Sequence, residues 1–295
     1  MYVGTTSATY AVRSKRAHDF EPSARLFELM DEPNVPSDAE DARVLDVADG
    51  NVALKNVAFS YTPEQDLIRD LTLEVKAGQK IAIVGATGSG KTTLLSLLMR
   101  FYQVPVGSGT IRIGGRDIRT MTPDELRSRF GVAMQNDFLY SDTVEENIKF
   151  GREISHGDVV RAAKIAQADD FISYLADGYD HVISPKGTNL SGGQRQRLTI
   201  ARALVANPEI LILDDSASAL DFATDAALRS AIRNMDGDTT VFIVSQRASS
   251  IMHADKIIVL DDGEMAGLGT HEELLEVCPE YKEISDSQMG GAFVE

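Results

Sequence analysis

Eight consecutive residues, Gly85-Ala86-Thr87-Gly88-Ser89-Gly90-Lys91-Thr92, combine the types that hold phosphate. Glycines let a backbone bend tightly and bring its N–H groups close to oxyanions. Lys91 supplies a compact positive charge, and Thr92 supplies a hydroxyl of the kind that ligates Mg²⁺. The spacing is G-x-x-x-x-G-K-[ST], which grips a nucleotide triphosphate where a strand leads in and a helix leads out. Both flanks are present: Ile81-Ala82-Ile83-Val84 before it and Thr93-Leu94-Leu95-Ser96-Leu97-Leu98-Met99 after it. The start of such a helix adds favourable partial positive charge. The pattern therefore predicts that Gly85, Thr87, Gly88, Ser89, Gly90, Lys91, Thr92 and Thr93 surround the phosphates of a nucleotide triphosphate with Mg²⁺.

Other chemistry-bearing residues stand at the ends of apolar runs. Ile210-Leu211-Ile212-Leu213 leads into Asp214-Asp215, and a continuous apolar run suits a parallel strand buried on both faces. Acids at its carboxyl end lie where open α/β sheets place ligands. Gly131-Val132-Ala133-Met134 stops at Gln135, and Thr240-Val241-Phe242-Ile243-Val244 runs into Ser245-Gln246. Leu190-Ser191-Gly192-Gly193-Gln194 opens a long helical pattern through Ala206. Gly107-Ser108-Gly109 is part of a G-x-G-x-x-G, but the third Gly is absent and no strand leads in, so a dinucleotide site is excluded.

The elements that must position these residues alternate strand and helix. Val52, Leu54, Val57 and Phe59, then Leu71, Leu73 and Val75, alternate with polar neighbours as half-buried strands do. Thr122-Pro123-Asp124-Glu125 is a capping box with Pro at the first helical position. Helical patterns cover 143–150, 158–168 and 171–175. Ile257-Ile258-Val259-Leu260 and residues 264–268 read as a hairpin around Asp261-Asp262-Gly263, and Thr270 caps the last helices. Residues 1–46 differ in kind: a short amphipathic pattern (Ala24, Leu26, Phe27, Leu29, Met30) and then an acidic linker with Pro33 and Pro36.

The chain has 295 residues, enough for one large α/β domain with a sub-domain. No apolar run nears 18 residues, so no segment reads as a membrane span, and residues 1–12 do not read as a signal peptide. One cysteine, Cys278, excludes an internal disulfide and suits a reducing compartment. A net charge of −16 repels polyphosphate backbones and argues against broad nucleic-acid binding.

In order, the phosphate loop, the glutamine-ended strand, Leu190-Ser191-Gly192-Gly193-Gln194, Asp214-Asp215 and Ser218-Ala219-Leu220-Asp221 resemble the nucleotide-binding domain of an ABC transporter. Residues 20–35, with Arg25-Leu26-Phe27-Glu28-Leu29-Met30-Asp31, resemble the segment that joins the last transmembrane helix to this domain in exporters. The resemblance implies an α/β P-loop NTPase fold, with a mixed, mostly parallel sheet, an N-terminal antiparallel β sub-domain and a helical sub-domain at about 136–206. It implies residues 1–46 as a linker from a transmembrane domain and 47–295 as the ATP-binding domain, at the cytoplasmic face of the cell membrane. It implies Tyr61 as the ring that stacks on adenine. Thr92, Gln135 and Asp214 would hold Mg²⁺, and Gln135 and Asp215 would address the attacking water. Two such domains pack head to tail in the family. Ser191, Gly192, Gly193 and Gln194 would then contact ATP held by the partner, and Asp221 would lie in the crossing stretch.

Two positions depart from the family pattern. Asp215 stands where the family has glutamate, and Gln246 where it has histidine. A base must come within about 3 Å of its water. Aspartate is shorter by one C–C bond, about 1.5 Å, and a misplacement of about 1 Å can lose about 100-fold in rate. Gln246 can hydrogen-bond a phosphate but cannot become a cation. The expectation is an ATP site that binds well and hydrolyses slowly, paired with a different chain carrying Glu and His and driving export. A regulatory module without turnover and a separate importer ATPase subunit are the alternatives. A chromosome or repair ATPase is disfavoured by the short interval between Thr92 and Leu190 and by the acidic charge.

Overall fold

The computed structural model describes residues 50–62, 65–135, 138–235, 237–245 and 251–289. The linker reading of residues 1–46 and the position of Gln246 lie outside the described residues.

The half-buried alternation near the start forms a long antiparallel pair, β1 (Val52–Thr62) and β2 (Gln65–Val75), with Val52 opposite Val75 and Leu54 opposite Leu73. Next in chain order come β3 (Lys80–Val84) and α1 (Lys91–Leu98), then β4 (Thr110–Ile113), β5 (Arg116–Asp117) and α2 (Pro123–Ser128). Strand β4 pairs with the other edge of β1, giving a four-stranded antiparallel sheet in the order β2-β1-β4-β5.

Strand β6 (Phe130–Ala133) is followed by four helices: α3 (Val144–Lys149), α4 (His156–Ile165), α5 (Asp169–Ser173) and α6 (Gly192–Leu204). The remainder is β7 (Ile210–Asp214), α7 (Phe222–Arg233), β8 (Thr240–Val244), β9 (Lys256–Asp261), β10 (Glu264–Gly269), α8 (His271–Val277) and α9 (Pro279–Met289). The second sheet has six strands in the order β10-β9-β3-β8-β7-β6. Its ladders are parallel except for the β9–β10 hairpin.

Side-chain alternation on the inner strands explains their unbroken apolar runs. Ile81 and Ile83 of β3 join Ile210 and Ile212 of β7 in a cluster with Leu94, Leu95, Leu97 and Leu98 of α1. Ala82 and Val84 point the other way, toward Leu274 and Tyr281 of the last helices. Leu211 and Leu213 likewise face the helices between β6 and β7. Each such isoleucine, leucine or valine, removed fully from water, contributes about 1.5–3 kcal/mol.

Helix ends follow local chemistry. Thr122, Thr143, Ser155, Ser191, Asp221 and Thr270 each accept a backbone N–H through the side chain at an N-cap. Helix α6 stops at Leu204, short of the Ala206 expected, because Asn207 takes φ 50° and Pro208 follows. Arg202 near its end donates to the carbonyls of Asn147 (2.8 Å) and Phe138 (3.1 Å) and lies 4.6 Å from the Phe150 ring centroid. It ties the stretch after β6 to α6.

Candidate functional site

Strand β3 is internal, between β8 and β9, and the phosphate-type loop springs from its carboxyl end. One glycine is dictated by space and another by its backbone conformation. A Cβ at Gly85 would come within 2.2 Å of the Leu260 carbonyl oxygen, and one at Gly90 within 2.7 Å of Ile68 Cδ1. Gly90 has φ 101° as the N-cap of α1. That helix has no side-chain cap and no acid in its first turn, so its N-terminal amides are not neutralised by a carboxylate there. Such a helix start suits an anion.

Lys91 folds back over the loop. Its Nζ donates to the carbonyls of Gly85 (2.8 Å) and Ala86 (2.7 Å) and to Ser89 Oγ (3.4 Å). Gly85 and Ser89 thus act on the lysine from behind the loop. Burial pushes the Lys91 pKa below its ordinary value, and nearby Asp214 opposes that shift.

Asp214 closes β7 and is only 8% exposed. Burial and the neighbouring Asp215 push its pKa up, while Lys91 opposes them. Asp215 leaves the strand at φ 46°, a left-handed conformation rarely adopted by a non-glycine residue. Its N–H donates to the Val244 carbonyl (2.9 Å), so the next strand holds the turn. Gln135, just past β6, donates its amide to Asp215 Oδ2 at 3.3 Å.

These groups surround one cavity of about 300 Å³. Thr87, Gly88, Gly90, Lys91, Thr92 and Thr93 form one side, with Gln135, Asp214 and Asp215 on another. Leu67, Val244 and Ser245 complete it. The volume is at the small end for ligand pockets, in keeping with a polar, half-open phosphate site. The Thr92 hydroxyl, the Gln135 amide and the Asp214 carboxylate are hard oxygen donors on its wall. Mg²⁺ is bound through one or two carboxylates alongside substrate phosphates, waters and neutral oxygens, so this donor set, with Asp214 as its carboxylate, fits it.

Tyr61 stands at the end of β1 with half its surface open. Its hydroxyl lies 3.2 Å from Thr93 Oγ1, and its ring meets those of Phe59 and Tyr102 edge-on. Thr93 is buried, with its hydroxyl turned to Tyr61. Tyr102 was absent from the expected site residues, and the signal for it was the aromatic pair Phe101-Tyr102 just beyond α1. Leu67 and Ser245 on the cavity wall were also missed.

The Ser-Gly-Gly-Gln stretch is not brought into this cavity. Ser191 caps α6 by accepting from Gln194 N–H, while Gln194 Oε1 accepts from Ser191 N–H (2.8 Å). Gly192 and Gly193 lie against Ala219, where a Cβ on Gly193 would stand 3.1 Å from its carbonyl oxygen. Gln196, one turn on, donates to Ser218 Oγ (3.0 Å) and accepts from Ala219 N–H (2.8 Å). Gly192 borders a separate groove of about 700 Å³, which it shares with Gln135 and Phe138. Asp221 caps α7 through Thr224, whose N–H and hydroxyl hold its carboxyl below the usual range.

Comparison with known proteins agrees with this geometry. The family model described as "ABC transporter" matches residues 68–218. A Bacillus subtilis (strain 168) protein named as a multidrug export ATP-binding/permease protein is 40% identical over 262 residues, covering 88% of this chain and 45% of its own length. A similarly named Staphylococcus aureus (strain NCTC 8325 / PS 47) protein is 40% identical over 265 residues, covering 89% of this chain and 46% of its own. Among solved structures, a bacterial Atm1-family ABC exporter with ATP bound is similar, with a TM-score of 0.83 and 39% identity. That match covers 90% of this chain and 47% of the exporter chain. The chain spans about half the length of these relatives. A family model over half the sequence, relatives at 40% identity and a shared α/β phosphate-loop fold lead to one conclusion: the chain belongs to the ABC transporter family.

Proposed function

We propose that this chain is the ATP-binding and ATP-hydrolysing domain of an ABC exporter. The observation that carries the reading is the convergence of Lys91, Thr92, Gln135, Asp214 and Asp215 on one cavity at the carboxyl ends of β3 and β7.

Loop amides and the start of α1 bind the β- and γ-phosphates, and Lys91 exchanges its carbonyl partners for phosphate oxygens. Thr92, Asp214 and Gln135 would hold Mg²⁺, which when bound would supply positive charge against the phosphates. Asp215 accepts the proton of the water that attacks the γ-phosphorus, as the bond to the ADP oxygen breaks. Gln135 orients that carboxylate through its 3.3 Å hydrogen bond. With the shorter Asp215 and with Gln246 in place of a cationic partner, turnover at this site is slow. The exposed Ser191 and the half-buried Gly193 at the start of α6 complete the site of a second nucleotide-binding domain, packed head to tail. We further propose that this partner is a different chain carrying Glu and His, that both domains drive a transmembrane domain from the cytoplasmic face, and that nucleic acid is not a partner.

Asp215→Glu with Gln246→His tests the slow-site reading. ATPase activity should rise about 10- to 100-fold, with ATP affinity unchanged. Activity that stays flat in the double variant would sink it. One observation favours a second reading: Gln135 already occupies the Asp215 carboxylate, as in a module that binds ATP without turnover. In that case no variant of residues 215 and 246 restores hydrolysis, while Lys91→Ala still abolishes ATP binding.

A further inference from the structure

The phosphate chemistry makes no use of the segment after α1, yet the fold holds it firmly. Arg100 takes φ 53° there, and its buried guanidinium donates to the carbonyls of Ile118 (3.3 Å) and Met121 (2.8 Å). That anchor turns the chain so that Phe101 lies under Arg127 and Tyr102 reaches β1. The Tyr102 ring lies 4.8 Å from Tyr61 at 77° and 5.7 Å from Phe59 at 50°. Tyr61 and Phe59 meet at 5.1 Å and 88°. The Tyr61 ring is therefore braced by two rings at edge-to-face distances and by one hydrogen bond to Thr93. Even so it is 51% exposed and keeps an open surface.

We infer that Tyr102 is a positioning residue for base recognition: it fixes the Tyr61 ring in the orientation on which the purine of the bound triphosphate stacks. This rests on the proposed ATP site. A tyrosine at a strand end loses rotamer freedom when a ligand orders it, and a ring already braced has less to lose. Thr93 adds a second consequence. It joins that ring to the first turn of the helix that meets the phosphates, so base and phosphate recognition share one rigid support.

The test compares Mg·ATP with Mg·tripolyphosphate, which has the phosphates but no base, by calorimetry on the full chain. Tyr102→Leu should weaken ATP binding about 3- to 10-fold and leave tripolyphosphate binding unchanged. Tyr102→Phe, which keeps the ring, should restore ATP affinity. In a Tyr61→Ala background, Tyr102→Leu should have no further effect on ATP, since the residue it positions is gone. The inference is overturned if Tyr102→Leu spares ATP affinity, tightens it, weakens both ligands alike, or acts equally without Tyr61. If the wild-type chain binds ATP no better than tripolyphosphate, base stacking at Tyr61 fails first and the proposed site is at fault.

Discussion

Asp214 and Lys91 each hold a charge that the folded chain disfavours, and their pH signatures have opposite signs. The Asp214 pKa is raised by burial, so the native state binds more protons than the unfolded chain between the ordinary carboxylate value and the raised one. Stability then falls as pH rises through that window. The Lys91 pKa is lowered by burial, so the unfolded chain binds more protons between the lowered value and the ordinary one. Stability there rises with pH. In the absence of nucleotide, Asp214→Asn should flatten the acid-side slope and raise stability by about 0.5–2 kcal/mol, the usual range for relieving a functional site. Lys91→Met should flatten the alkaline side. Urea unfolding across pH checks both, and an unchanged slope in either variant refutes its assignment. Both variants should lose Mg·ATP binding, measured by calorimetry. At this scale the cavity's polar residues were legible, because chemistry fixes their types and the motif their spacing. The left-handed turn at Asp215 and the carbonyl grip on Lys91 were not, since both arise from how neighbouring segments close around them.

Among elements, the phosphate loop and α6 carry the sharpest expectations. Gly85→Ala would drive a Cβ into the Leu260 carbonyl oxygen at 2.2 Å, against a rigid internal strand. It should destabilise by about 3 kcal/mol or more, at the upper end for forced overpacking, visible as a lowered Tm. Ser191→Ala removes the cap of α6 and should cost about 1 kcal/mol, a Tm loss of about 2–4 °C for a domain of this size. Because Ser191 does not border the chain's own cavity, its ATP affinity should not change. A Ser191→Ala chain that binds ATP more weakly would place the helix start in the wrong site. The strands were readable from alternation and from unbroken apolar runs, since the two periods report burial on one face or both. Which strands adjoin was not, because pairing β3 with β8 and β9 depends on contacts far apart in sequence. Tyr102 escaped for the same reason: the Phe101-Tyr102 pair marks an aromatic spot locally, but its role comes from meeting β1 across the fold.

The whole molecule carries a net charge of −16. Two copies therefore repel, and bound ATP adds to the repulsion. The Debye length shrinks from about 30 Å at 0.01 M salt to about 10 Å at 0.1 M. Nucleotide-driven self-association, followed by sedimentation, should strengthen over that range. If it weakens instead, the contact is built from opposite charges and net repulsion does not govern the association. One hydrogen-bonded side chain has a further meaning at this scale. Gln196 sits on the helix that Ser191 begins, and it grips Ser218 and Ala219, which come three and four residues after Asp215. The start of α6 and the stretch after the cavity's carboxylates are thereby fastened to each other. In the proposed head-to-tail pair, Gln196 would therefore couple the helix start that meets the partner's nucleotide to the stretch after this chain's own carboxylates.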